Sequence, residues 1–259
     1  MRDVLLSARF SIDYPGKPGT LRDIALEIRT GEIFGLIGPS GSGKSTIALA
    51  LLGLLGFRGG TVRGQLLFHG RDLTACGERA WRSVRGREIA LVLQSPIAAL
   101  NPALRIETQL REAWRVHRPE AWKQARPEIQ ALLRSLELPA DDGFLRRYPR
   151  QLRVGQAQRV LIAIEVMHRP KLLIADEPTS ALDPVAQGQT LALFRRLNRE
   201  MGTAILYISH DLVSVSSMCH TVAVLEAGRV AACGPVGAVL GTLQARHDSN
   251  EAVPVASFH

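Results

Sequence analysis

Cysteine is scarce. The three residues present, Cys76, Cys219 and Cys233, lie far apart and form no Cys-x-x-Cys pair. That spacing argues against a thiolate metal site and a disulfide framework, and predicts reduced thiols in a cytosolic setting. Aromatic residues make up 5% of the chain. None interleaves with the arginine clusters as a base-stacking platform would. No apolar run approaches the roughly 18 residues of a membrane span. The N-terminus, with Arg2 and Asp3, has no long apolar stretch after it, so no secretion signal is expected. Internal repeats and low-complexity tracts are also missing, which sets aside solenoids and disordered scaffolds.

What remains is a chain of 259 residues, 46% hydrophobic and 22% charged. That length buries a full core in one large domain, with room for a subdomain. The formal net charge is +8, with arginines clustered at 79, 82, 85 and 87 and again at 146, 147, 150 and 153. Without interleaved aromatics these clusters read as solvated faces, helped by lying near anionic lipid, and nucleic acid is not the expected partner.

The strongest local pattern runs Gly38-Pro39-Ser40-Gly41-Ser42-Gly43-Lys44-Ser45-Thr46, which fits G-x-x-x-x-G-K-[ST] without a mismatch. The apolar run Glu32–Ile37 before it predicts a buried strand, and Ile47–Leu55 after it predicts a helix. In that context the glycines let backbone N–H groups turn inward around phosphate oxygens, where the helix N-terminus adds partial positive charge. Lys44 can reach β/γ phosphates, and the Ser45 hydroxyl can ligate Mg²⁺. A nucleoside triphosphate is therefore the expected ligand.

Along the chain, Val4–Ile12 and Ile24–Ile28 predict short strands joined by the turn-rich segment from Tyr14 to Gly19. Further strands are expected near Gly64–Phe68, Glu88–Gln94, Lys171–Ala175, Ala204–Ser209 and Thr221–Glu226. Helical spacing of apolar residues marks Thr108–His117, Ala121–Leu138, Gly155–Met167 and Val185–Glu200. A β-rich start, an α/β core and a helical insertion from about 95 to 167 make one composite domain over residues 1–244. Residues 245–259 read as a polar, frayed tail.

Lys171–Glu177 is an apolar strand ending in two acids. Such a strand can simply close a surface turn. Beside a phosphate loop, Asp176 would hold the Mg²⁺ shell and Glu177 would act as the general base on the attacking water.

Taken together, these residues resemble the nucleotide-binding subunit of ABC transporters over roughly residues 4 to 240. The resemblance implies a phosphate-loop NTPase core of that type, with an N-terminal antiparallel β-subdomain and an inserted α-helical subdomain. It implies that Gln94 is a Mg²⁺ ligand sensing the γ-phosphate, and that His210, between Ser209 and Asp211, clamps the γ-phosphate. Ser180, Ala181, Leu182 and Asp183 match the D-loop, which communicates across a dimer. Tyr14, 30 residues before Lys44, falls where the family places an aromatic on the adenine, although it also reads as a turn residue. Leu93-Gln94-Ser95-Pro96, Leu100-Asn101-Pro102 and Leu173–Asp183 are similar to the bacterial dipeptide, oligopeptide and nickel importers. Membership of that group implies ATP and Mg²⁺ as ligands and a peripheral position on the cytoplasmic side of the bacterial inner membrane. It also implies two permease subunits and an external solute-binding protein, with the helical segment docking a permease helix.

Two departures stand out. The family signature is Leu-Ser-Gly-Gly-Gln, whose amides face the ATP of the other subunit. Here the matching stretch is Leu152-Arg153-Val154-Gly155-Gln156. Arg153 replaces a small hydroxyl, and Val154 replaces a glycine where backbone must approach closely. Either the signature is impaired, or Arg153 meets the phosphate in another geometry. The first reading predicts a heteromeric pair with a second ATPase subunit. The C-terminal stretch also lacks the His-Pro-Tyr-Thr motif and cysteine cluster of many peptide importers, leaning toward nickel or metal-chelate uptake. The competing readings are an ABC ATPase acting on nucleic acid or the ribosome, and a regulatory subunit that binds ATP without turning it over.

Overall fold

The structure, a computed structural model, describes residues 3–180 and 182–249. It begins with the antiparallel strands β1 (Val4–Tyr14) and β2 (Lys17–Arg29), followed by β3 (Ile33–Ile37) and α1 (Lys44–Leu51). Next come β4 (Thr61–Phe68), β5 (Arg71–Asp72), α2 (Glu78–Val84) and β6 (Ile89–Val92). The helical insertion holds α3 (Pro96–Ala99), α4 (Ile106–His117), α5 (Trp122–Ser135), α6 (Asp142–Leu145) and α7 (Val154–Val166). The chain continues with β7 (Leu172–Asp176), α8 (Pro184–Met201), β8 (Ala204–Ile208) and α9 (Leu212–Met218). It closes with the hairpin β9 (Thr221–Glu226) and β10 (Arg229–Pro235), then α10 (Val236–Ser249).

Two sheets result. One has the order β2-β1-β4-β5 and is antiparallel; the other has the order β10-β9-β3-β8-β7-β6. In the second sheet β9, β3, β8, β7 and β6 are parallel and β10 is an antiparallel edge. Strands buried on both faces need continuous apolar runs, and β3, β7 and β8 have them. Their alternate residues feed two separate cores. Phe34, Leu36, Leu172, Ile174, Leu206 and Ile208 face the antiparallel sheet and α1. Ile33, Ile37, Leu173, Ala175, Ile205 and Tyr207 face the helical side. Within the insertion, buried Ile106, Leu110 and Trp114 on α4 and Ala125, Ile129 and Leu133 on α5 recur every four residues. That spacing places each set on one helix face, so both helices pack into the second core.

The α/β fold with its antiparallel start and helical insertion is thus present. Several boundaries move. β6 ends at Val92, so Gln94 lies in the loop beyond the strand and does not close it. Residues 245–249, read as the start of the tail, complete the last turn of α10, while 250–259 lie outside the described residues.

Candidate functional site

The segment between β3 and α1 is shaped by glycine. Gly38 has φ 155°, and a Cβ there would collide with the Leu225 carbonyl oxygen. Gly43 has φ 108°, and a Cβ would sit 2.6 Å from Leu21 Cδ2. Larger residues at these positions would displace β9 or β2 and open the loop. Lys44 is 5% exposed. Its Nζ donates to the carbonyls of Gly38 at 2.8 Å and Pro39 at 2.9 Å, so the ammonium is folded into the loop it follows. The Ser42 hydroxyl is buried there without a hydrogen-bond partner. A buried donor left unmade is expensive, so loop and Ser42 together present polar groups that a phosphate would satisfy.

Asp176 ends β7 opposite this loop. Its Oδ1 is buried and unpartnered. Burial pushes its carboxyl above the usual range, as does the neighbouring charge of Glu177. The Ser45 hydroxyl, hydrogen-bonded to it, and the Lys44 charge pull it back. An unsatisfied carboxylate oxygen beside a hydroxyl is a hard-oxygen donor set that suits Mg²⁺.

Glu177 takes φ 47°, a left-handed conformation uncommon outside glycine, while its N–H donates to Ile208 O at 2.9 Å. That turn lifts the carboxylate out of the sheet and between two partners. Oε1 lies 3.3 Å from His210 Nδ1, and Gln94 Nε2 donates to Oε2 at 3.4 Å. The Glu177 side chain is 18% exposed, whereas that of His210 is 57% exposed. One polar cluster therefore gathers Gln94, Glu177 and His210 from the ends of β6, β7 and β8. Beside it a cavity of about 210 Å³ is lined by Glu177, Ser180, Leu182 and His210, among others. The carboxylate can accept a proton from a water in that space, with a ring nitrogen and an amide to orient it.

The remaining candidates divide between the edge of this cavity, where Ser180 and Leu182 sit, and positions away from it. Ser180 Oγ donates to the Glu177 carbonyl at 3.0 Å, and Asp183 caps α8 by accepting from Val185 and Ala186, both at 3.0 Å. Ala181 lies outside the described residues. Leu152 is buried, and Arg153 N donates to Gln156 Oε1 at 3.2 Å, closing the first turn of α7. Val154 opens that helix and is 40% exposed, and nothing lies near the Gly155 α-carbon's open side. Among the described residues no hydrogen bond or ion pair joins 152–156 to the loop, Asp176, Glu177 or His210. Tyr14 is half-buried against the β-lobe core beside Gly60.

Sequence reasoning missed the struts behind this cluster. Thr179 Oγ1 lies 3.3 Å from the Tyr207 hydroxyl, which donates to Ser214 Oγ at 3.1 Å; Ser214 in turn donates to the Asp211 carbonyl at 2.8 Å. Only Tyr207 gave a signal, as a hydroxyl in an otherwise apolar strand.

Residues 21–180 match the ABC transporter family. The chain is 39% identical over 241 residues to the probable D,D-dipeptide transport ATP-binding protein DdpD of Escherichia coli, covering 92% of this chain and 74% of that protein. It is 39% identical to the oligopeptide transport ATP-binding protein OppD of Escherichia coli, covering 83% of this chain but only 63% of that longer relative. Among solved structures, cbiO1 of Clostridium perfringens, part of the ABC transporter complex cbiONQ, superposes with a TM-score of 0.80. It is 25% identical, with 96% of this chain and 95% of that one covered. The dimeric cassette MJ0796 bound to ADP and Pi gives 0.74 at 26% identity, covering 90% of this chain and 99% of that one. The chain belongs to the ABC transporter family, as a transport ATPase of its peptide-importer group.

Proposed function

We propose that this chain hydrolyses ATP to drive peptide uptake through a membrane permease, from the cytoplasmic face of a bacterial inner membrane. The observation that carries the reading is the Glu177 carboxylate, held between Gln94 and His210 and next in sequence to Asp176 at the phosphate loop. The loop from Gly38 to Thr46 and Lys44 bind the triphosphate, and Tyr14 contributes to the adenine site. Ser45 and Asp176, with Gln94, are the residues that would hold Mg²⁺. Bound there, the ion would supply positive charge to offset that of the triphosphate. Glu177 takes the proton of the attacking water, and His210 orients the group being transferred. The D-loop residues Ser180 to Asp183 carry the state of this cluster to a neighbouring subunit.

The names of DdpD and OppD favour peptides as the cargo over nickel or metal chelates. A second ATPase subunit is the expected partner, beside two permeases and, indirectly, a solute-binding protein. Arg153 and Val154 support that pairing. A β-branched side chain at the first residue of α7, 40% exposed, puts bulk where the family signature has a glycine beside the helix amides. A homodimer would carry that obstruction at both sites.

Affinity purification of the full chain from membranes, followed by ATPase assays with di- and oligopeptides, tests this reading. The expected result is co-purification with a membrane permease and a second ATPase, and turnover stimulated by peptide in the presence of the binding protein. Recovery without any permease, or turnover stimulated by nucleic acid instead, would contradict it.

A further inference from the structure

Gln187 lies in the first turn of α8, on the wall of the cavity that Glu177 and His210 also line. Its Nε2 donates to Asp211 Oδ2 at 2.9 Å. The other oxygen of that carboxylate, Oδ1, accepts from Val213 N at 3.0 Å and caps α9. The Asp211 N–H is taken by Ser209 Oγ at 3.0 Å, and the Asp211 carbonyl by Ser214 Oγ at 2.8 Å. The Val215 N–H donates to the same carbonyl at 3.2 Å, so Asp211 is held by five hydrogen bonds, and the residue held with it is His210. Of the five, only the Gln187 bond comes from outside the 209–215 segment. It comes from a helix whose start is fixed by Asp183, the last residue of the Ser180–Asp183 loop.

We propose that Gln187 is a positioning residue for His210, and that the Gln187–Asp211 bond ties the Ser180–Asp183 loop to the histidine that faces Glu177. The inference rests on the reading of His210 given above. The chemistry of the side chain matters here. A neutral amide donates to Asp211 without adding charge to the cavity wall, and so fixes that carboxylate in place. The Thr179–Tyr207–Ser214 hydroxyl chain runs parallel to it on the buried side. That chain keeps the strand ends together when the amide is lost, so removing Gln187 should misplace the histidine without unfolding the site. A displacement of that kind at a reacting group lowers turnover rather than nucleotide affinity.

Gln187→Ala and Gln187→Glu, in the full chain purified with its membrane partners, separate these roles. With Gln187→Ala, kcat should fall about 10-fold while KM for ATP changes less than about twofold. Gln187→Glu keeps the shape but sets a carboxylate against Asp211. Besides Asp211, the titratable groups lining the cavity are Glu177 and His210. Two facing carboxylates raise one another's affinity for a proton, and the protonated partner can donate again. The activity of Gln187→Glu relative to the parent should therefore recover severalfold as the pH is lowered, whereas that of Gln187→Ala should not. His210→Ala serves as the control. If His210→Ala is inactive and both Gln187 variants turn over within twofold of the parent, this inference fails alone. It fails equally if the losses track a lowered melting temperature with no recovery at low pH. If His210→Ala turns over at the parent rate, the reading of the histidine fails first.

Discussion

Asp176 and Glu165 are both acids that burial pushes upward, but only Asp176 has a cation and a hydroxyl beside it. Glu165, on α7, accepts a single backbone bond from Leu91 N at 3.2 Å. Its carboxyl is driven up to about 7 by desolvation, with that bond acting against it. The folded protein then holds a proton that the unfolded chain releases, so stability falls as pH rises from the ordinary glutamate range to about 7. His117 and His168, pushed below the usual histidine range by burial, act in the opposite sense. They lose stability as pH falls through that range. Comparing Glu165→Gln with the parent cancels the histidines. The substitution keeps an acceptor for Leu91, so chemical denaturation should show the variant gaining stability relative to the parent between pH 5 and pH 8. The gain should be on the order of 2 kcal/mol. A parent and variant with parallel pH profiles would show that Glu165 is charged and satisfied at neutral pH.

The helix α7 joins two jobs along one element. Its C-terminal half fixes β6 through Glu165, and its first turn displays Arg153, Val154 and Gln156. The phosphate-loop glycines and Lys44 were legible in the sequence because their chemistry is local. Bonds such as Leu91–Glu165 and Gln187–Asp211 span 74 and 24 residues, and no local pattern encodes them. Short α2, with Arg82 turned to Glu78 and Arg85, just past its end, turned to Glu78 and to the carbonyls of Leu52 and Gly53, was hidden for a related reason. Its seven residues bury just Trp81 and Val84, too short a stretch for apolar periodicity to show. Gly237 and Gly241 weaken the helical pattern of α10. At the N-terminus of α7 the sequence was explicit. Arg153→Ser with Val154→Gly restores small residues where helix amides are exposed. ATP turnover by the assembled complex should rise roughly 10-fold if these amides serve the neighbouring subunit's nucleotide. An unchanged rate would mean that the altered turn is tolerated.

Across the whole molecule, the six-stranded sheet separates two cores, and the polar cluster sits where three of its strands end. Gln94 reaches that cluster from the loop that enters the helical insertion, and Glu177 and His210 reach it from the turns that leave β7 and β8. The insertion and the sheet therefore meet at the group assigned to catalysis, the arrangement a machine needs if hydrolysis is to move a permease. Arg71, Arg85, Arg126 and Arg159 all contact carboxylates and so help to tie the surface of the fold together. The most direct test of the account is turnover by the assembled transporter carrying Glu177→Gln. That change keeps the shape and the contact with Gln94 but removes the base. The account predicts that ATP hydrolysis falls by at least about 100-fold while ATP stays bound in a closed pair of subunits. Hydrolysis at the parent rate would contradict it.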